Sequence, residues 1–138
     1  MALRYLELAD FLLVAEGVLG IEAEVLAQVA DLNLADSALH APAASYGGVE
    51  FYEDFSTKAA VLCSRIARNH PLPDGNKRAA YECLREFVAR NGYGWSPPPG
   101  DDPEGDETVA VMLAVAAGEI SEPQLAVWIR DRVEQSGP

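Results

Sequence analysis

The residues whose types and spacing point to chemistry fall in one run, Asn69-His70-Pro71-Leu72-Pro73-Asp74-Gly75-Asn76-Lys77-Arg78. His70 offers an imidazole that can take a proton near neutral pH. Asp74, four residues on, offers the hard carboxylate oxygen that Mg²⁺ accepts beside phosphates. Pro71 ends one helix, and the apolar spacing after Lys77 begins another. Lys77 and Arg78 therefore stand at a helix start, where two cations oppose the dipole unless an anion sits there too. Gly75 lets the backbone approach a ligand closely. A base, a metal ligand and an anion cradle in such close register are the parts that phosphoryl transfer needs. Each residue also has a plainer reading. His70 can cap the end of the preceding helix, Asp74 can be an N-cap, and Lys77 and Arg78 can be solvated surface charges.

The surrounding charge sharpens the choice. The chain has 138 residues, 22 acidic and 10 basic, for a net charge of −12. Residues 61–95 run against that sign, with Arg65, Arg68, Lys77, Arg78, Arg85 and Arg90 set against Asp74, Glu82 and Glu86. One segment of an acidic protein is positive, and the run lies inside it. The overall acidity argues against a general nucleic-acid binder and against attachment to an anionic membrane. Cys63 and Cys83 make neither a disulfide framework nor a zinc site, and small buried hydrophobes are the expectation for both. With no leader pattern and no long apolar stretch, a cytoplasmic protein is expected.

The elements that must position the run read mostly as helix. Leu3 to Val14 carries a helix or a strand-to-helix start, interrupted at Gly17 and Gly20. Ile21 to Val29 follows, with Ile21, Val25, Leu26 and Val29 on one face, then a short piece over Leu34 to Leu39 ended by Pro42. Gly47-Gly48, flanked by Tyr46 and Val49, predicts a small hairpin or flap within 43–52. Phe55, Ala59, Leu62, Cys63 and Ile66 have helical spacing up to His70. Lys77 to Arg90 carries the stripe Ala80, Leu84, Phe87 and Val88 and stops at Asn91-Gly92. Ser96 to Asp106 is Pro-rich loop. Thr108 to Ala117 is a short apolar helix closed by Gly118, and Ser121 with Gln124 forms a capping box for the last one. The expectation is one domain over 1–138, all-α apart from the hairpin.

The run His70 to Arg78 resembles the signature loop of the Fic/Doc superfamily, His-x-Phe-x-Asp-Gly/Ala-Asn-Lys/Gly-Arg. Leu72 stands where Phe is usual and serves as the apolar anchor of the loop. The similarity extends to Ser37-Ala38-Leu39 with Pro42, Tyr46-Gly47-Gly48 with Tyr52, Lys58-Ala59-Ala60, Asn91-Gly92-Tyr93 and Ala116-Ala117-Gly118-Glu119-Ile120-Ser121, all as in Doc-type members. The resemblance implies a compact helical bundle with a β flap before the signature helix. Members that transfer AMP usually have Gly where this chain has Lys77, and a second Arg where it has Tyr81. Doc-type members share the Lys and lack that Arg, and their nucleotide presents its γ-phosphate.

What the resemblance implies is a toxin-type protein Ser/Thr kinase using ATP and Mg²⁺, with elongation factor Tu as the usual target and arrest of translation as the outcome. By position, His70 is the base, Asp74 holds Mg²⁺, and Gly75, Asn76, Lys77 and Arg78 hold the phosphates. Tyr46, Gly47, Gly48 and Val49 dock an extended stretch of the target by strand addition, unless the Gly-Gly pair is simply a turn. A protein adenylyltransferase and a non-catalytic interaction module of the same fold are the other readings. No inhibitory Ser/Thr-x-x-x-Glu helix is found, since Leu12 precedes Glu16. Control is therefore expected from a separate antitoxin of the Phd kind, whose acidic tail lands on Arg65, Arg68, Lys77 and Arg78.

Overall fold

The computed structural model describes residues 2–101 and 105–135. Seven helices are joined by two small sheets. The helices are α1 (Leu8–Leu19), α2 (Ala23–Val29), α3 (Leu32–His40), α4 (Phe55–Asn69), α5 (Asn76–Arg90), α6 (Asp106–Ala116) and α7 (Glu122–Arg132). The strands are β1 (Ser45–Tyr46), β2 (Val49–Glu50), β3 (Tyr93–Trp95) and β4 (Val133–Gln135).

Helix α4 is the centre. It packs against α3, α5, α6 and α7, so it is covered on most sides, with polar Ser56, Lys58 and Ser64 buried along with its apolar residues. Ala59, Ala60, Val61, Leu62, Cys63, Ile66 and Ala67 are all buried. A helix covered on most sides reads this way. The expected stripe of α5, Ala80, Leu84, Phe87 and Val88, lies wholly inside, and Asn91 and Gly92 end that helix as expected, Gly92 at φ 82°. Ser121 and Gln124 close their capping box at the start of α7. Cys63 and Cys83 are buried hydrophobes; burial pushes the Cys63 thiol up to about 12 and the Cys83 thiol upward as well, so neither is a nucleophile.

Other expectations are corrected. Helix α1 begins at Leu8 and runs through Gly17, ending where Gly20 takes a left-handed φ of 70°. One glycine in a helix interior costs only about 1 kcal/mol, less than the packing of α1 returns. On α2 only Leu26 is buried, whereas Ile21, Val25 and Val29 face solvent. Helix α3 continues to His40, and Pro42 belongs to a 3₁₀ turn, Ala41–Ala43, rather than following a stop. The Pro-rich connector contains a second 3₁₀ turn, Pro99–Asp101, and α6 starts at Asp106; the part of the loop over 102–104 lies outside the described residues. Unanticipated altogether is the antiparallel pairing of β3 with β4, Tyr93 opposite Gln135 and Trp95 opposite Val133. The hairpin over 45–50 is as expected. Both of its central glycines have positive φ, 60° and 81°, which suits the twist of a two-residue connection.

Candidate active site

The site is the short connection between α4 and α5. Its backbone is shaped by three local choices. His70 ends α4 in the left-handed region, φ 51° and ψ 55°, the sole non-glycine at positive φ among the described residues. That conformation costs an L-residue roughly 1–2 kcal/mol, and it turns the chain abruptly at the residue expected to be the base. Pro71 and Leu72 are then buried, Leu72 within the main core, so the leucine fills the anchor position. The Pro71 carbonyl accepts a hydrogen bond from the Asp31 amide at 2.7 Å, tying the loop to the start of α3.

Asn76 closes the loop on itself. Its side chain is buried, its Oδ1 accepts from the Leu72 amide at 2.9 Å, and its Nδ2 donates to the Leu72 carbonyl at 2.9 Å. Its side chain, expected on a phosphate, is instead the brace of the loop, which leaves its backbone N–H as the group free to meet an anion. At Gly75 a Cβ would meet Leu19 Cδ2 of α1 at 2.7 Å, and φ is 72°. Glycine is thus required here for the close approach to the end of α1 and for the left-handed backbone.

What remains is open chemistry. His70, Asp74, Lys77 and Arg78 are all exposed. The side chains of His70, Lys77 and Arg78 make no hydrogen bond or ion pair among the described residues. The cap of α5 is Gly75 itself, with no side chain on the first-turn N–H groups. Asp74 is therefore not the N-cap; its Oδ1 accepts from the Gly75 amide at 2.8 Å and its other oxygen is unpartnered among the described residues. One exposed carboxylate fits Mg²⁺, which takes one or two protein oxygens and completes its shell from phosphate and water. No preformed cluster of three or more metal-ligating side chains occurs among the described residues, so the ion would come with the nucleotide. The uncapped N-terminus of α5, with two cations in its first turn, fits a phosphate chain.

Arg65 and Arg68, the two arginines of the basic segment on α4, are engaged elsewhere. Arg65 Nε donates to Glu122 Oε2 at 2.7 Å, which holds its guanidinium above its usual pKa, and its Nη2 donates to Tyr52 Oη. Arg68 donates to the carbonyls of Val115 and Ile120, both at 3.1 Å, capping the turn between α6 and α7. Of the expected four-cation landing patch, Arg65 is paired with Glu122 and Arg68 is held on carbonyls, while Lys77 and Arg78 have no side-chain partner among the described residues. Tyr81, in the place of the missing second Arg, is half-buried edge-on to Trp95 at 6.0 Å; burial holds its phenol above the ordinary value. It lines a cavity of about 860 Å³ between α1, α5 and α6, with Lys77 and Arg78 at the rim and Leu13, Val109 and Leu113 on its walls. Neither His70 nor Asp74 belongs to that cavity, so the groove lies beside the loop. The hairpin residues Tyr46, Gly47, Gly48 and Val49 are all exposed.

The molecule is thus a mostly helical bundle braced around a central helix that ends in a His…Asp-Gly-Asn-Lys-Arg loop with an uncapped helix start. The pattern of the Fic/DOC family matches residues 6–88, and the chain belongs to that family. It is also similar to the Toxin Doc of Mycolicibacterium smegmatis (strain ATCC 700084 / mc(2)155), 43% identical over 65 residues. That match covers 47% of this chain and 50% of the relative, so the chain spans about half the length of the curated protein it matches. Among the described residues no helix is long and apolar enough to cross a membrane.

Proposed function

We propose that the chain is the toxin of a toxin–antitoxin pair and acts as an ATP-dependent protein Ser/Thr phosphotransferase. The observation that carries this reading is the unpaired state of His70, Lys77 and Arg78 at the two ends of one loop. Polar groups of the same segment that serve the fold, Arg65, Arg68 and Asn76, all have partners. In the reaction, the target hydroxyl gives its proton to the exposed ring of His70 as its oxygen bonds to the γ-phosphorus of ATP, and the bond from that phosphorus to the bridging oxygen breaks to release ADP. The phosphates lie on the first N–H groups of α5 between Lys77 and Arg78, whose fixed charges meet the charge that develops on transfer. Asp74 would hold Mg²⁺, which would neutralise charge on the phosphates. Lys77 in place of glycine, and Tyr81 committed to Trp95 rather than free to clamp outer phosphates, favour γ-phosphoryl over AMP transfer.

Elongation factor Tu is the target that the family resemblance suggests, with arrest of translation as the consequence. Intact-mass measurement of that factor after incubation with MgATP is the test. A gain of one phosphoryl group supports the kinase; a gain of AMP makes the chain an adenylyltransferase; no gain removes this target. The silencing partner is a small antitoxin. Leu13, Val109 and Leu113 are more than half exposed on the groove walls, which suits a covering helix with an apolar stripe. Because Glu82, Glu86 and Asp101 also line the groove, acidic residues of such a helix fit only the end near Lys77 and Arg78. Expression in bacteria should arrest growth unless the antitoxin is co-expressed.

A further inference from the structure

Lys58 is the one charged side chain in the buried interior among the described residues, 2% exposed. An ammonium is costly to bury unless it is paired and hydrogen-bonded, and its partners are informative. Its Nζ meets Glu50 Oε1 of β2 at 2.9 Å and donates to the Pro42 carbonyl at 3.3 Å, and it lies 5.9 Å from the centroid of the Tyr5 ring. Pro42 precedes the hairpin and Glu50 closes it. A single ammonium projecting from the first turns of α4 thus grips the chain on both sides of the flap. Desolvation works against the charge, but Glu50 and Tyr5 outweigh it and hold the pKa of Lys58 above its ordinary value.

The register of the hairpin gives this grip a direction. Ser45 pairs with Glu50 and Tyr46 with Val49. Successive residues of a strand point to opposite faces, so turning Glu50 toward Lys58 turns Tyr46 and Val49 outward. They are 82% and 64% exposed. A slip of one residue would reverse both faces, and strands of two residues have few contacts of their own to prevent it.

We propose that Lys58 is a positioning residue, which pins the flap through Glu50 and the Pro42 carbonyl and holds Tyr46 and Val49 outward for the target segment. The role in target binding rests on the function proposed above; the pin itself does not. Lys58 touches neither nucleotide nor acceptor hydroxyl.

Two measurements separate these. Amide exchange on the purified chain reads the pin without any reaction, at Phe51, whose N–H donates to the Ala44 carbonyl at 3.0 Å. In Lys58→Met and in Glu50→Gln this amide should lose roughly ten-fold or more of its protection while the amides of α5 keep theirs. Unchanged exchange at Phe51 in both variants overturns the proposal. Should Lys58→Met fail to fold, Glu50→Gln decides, because Glu50 sits on the exposed flap. In the transfer assay the variants should raise KM for the target protein by about ten-fold with kcat near the parent's, as expected when binding alone is lost. A fall in kcat with KM unchanged overturns the positioning role. A parent chain that transfers nothing refutes the proposed function, and the exchange result still judges the pin.

Discussion

Two pairs of cations a few residues apart behave in opposite ways. Arg65 and Arg68 reach from the last turns of α4 onto neighbouring elements, one onto Glu122 and Tyr52, the other onto the Val115 and Ile120 carbonyls at the α6–α7 turn. Lys77 and Arg78 stand in the first turn of α5 with no partner among the described residues and no side-chain cap beneath them. Sequence alone treats all four as one positive patch. The structure separates charge that joins helices from charge left available to a ligand. In the function proposed above, the groups left without a protein partner are the ones that meet the ligand. The same contrast runs through the loop itself, between Asn76, held at both ends by Leu72, and His70, left-handed and open to solvent.

The strongest way to break this comparison is at His70. His70→Ala should reduce transfer by about 10²–10⁴, the usual worth of a general base, with the fold intact. His70→Gly should be equally inactive yet more stable than His70→Ala by about 1 kcal/mol, because glycine adopts φ 51° without strain. Transfer rates and denaturant melts of the two variants check both. Activity near the parent's in either would remove His70 as the base. Asn76→Ala comes next. It leaves the buried amide and carbonyl of Leu72 without their partners, each worth about 1–3 kcal/mol. It should destabilise the chain in the absence of any nucleotide, which a residue serving only phosphate would not do.

How far all this was legible in the sequence follows from how local each feature is. The α4–loop–α5 unit was readable because Pro71, the apolar spacings and Asn91-Gly92 act within a few residues of themselves. So was the hairpin, since Gly47-Gly48 supplies its own turn. The β3–β4 pairing joins Tyr93–Trp95 to Val133–Gln135 across most of α6 and α7, and three-residue segments carry no periodicity that predicts a distant partner. The exposure of Ile21, Val25 and Val29 was hidden for a similar reason: α2 has a helical pattern but packs chiefly on α1. In the candidate site, the gathering of His70, Asp74, Lys77 and Arg78 into one loop between two helices was legible, and the partners of Arg65, Arg68 and Asn76 were not. The two arginines bond across the fold. Asn76 bonds only four residues back, but nothing in its type distinguishes a brace from a phosphate ligand.

The division among the cations can be sharpened by substituting them in turn. Lys77→Ala and Arg78→Ala should each weaken MgATP binding by about ten-fold, as for loss of a charge-assisted contact. Neither should move stability by more than about 0.5 kcal/mol, since no partner is left behind. Arg68→Ala should do the reverse, costing about 1 kcal/mol through the Val115 and Ile120 carbonyls with nucleotide affinity unchanged. Calorimetric titration and chemical denaturation of the three variants give the full pattern. Equal losses of affinity in all three would return the segment to a single undifferentiated patch.

The smallest effect concerns charge that serves the fold far from the loop. Asp10, in the first turn of α1, accepts from the Glu7 amide at 2.8 Å and pairs with Arg90 at 2.9 Å. The hydrogen bond from Arg90 is the main cause of its lowered pKa; partial burial opposes it, and the Glu7 amide adds to it. A carboxyl whose folded pKa is depressed binds protons less well in the folded chain than in the unfolded one. Its contribution is therefore fully present above the ordinary value of 3.8 and is lost as pH falls through the lower folded value. Asp10→Asn should be less stable than the parent near neutral pH by no more than about 1 kcal/mol, since the pair is partly solvated. The gap should close once the parent's own Asp10 is protonated. Denaturant unfolding of both chains across that acid range measures it. A gap that persisted below the titration would mean that shape and hydrogen bonding, rather than charge, join α1 to α5.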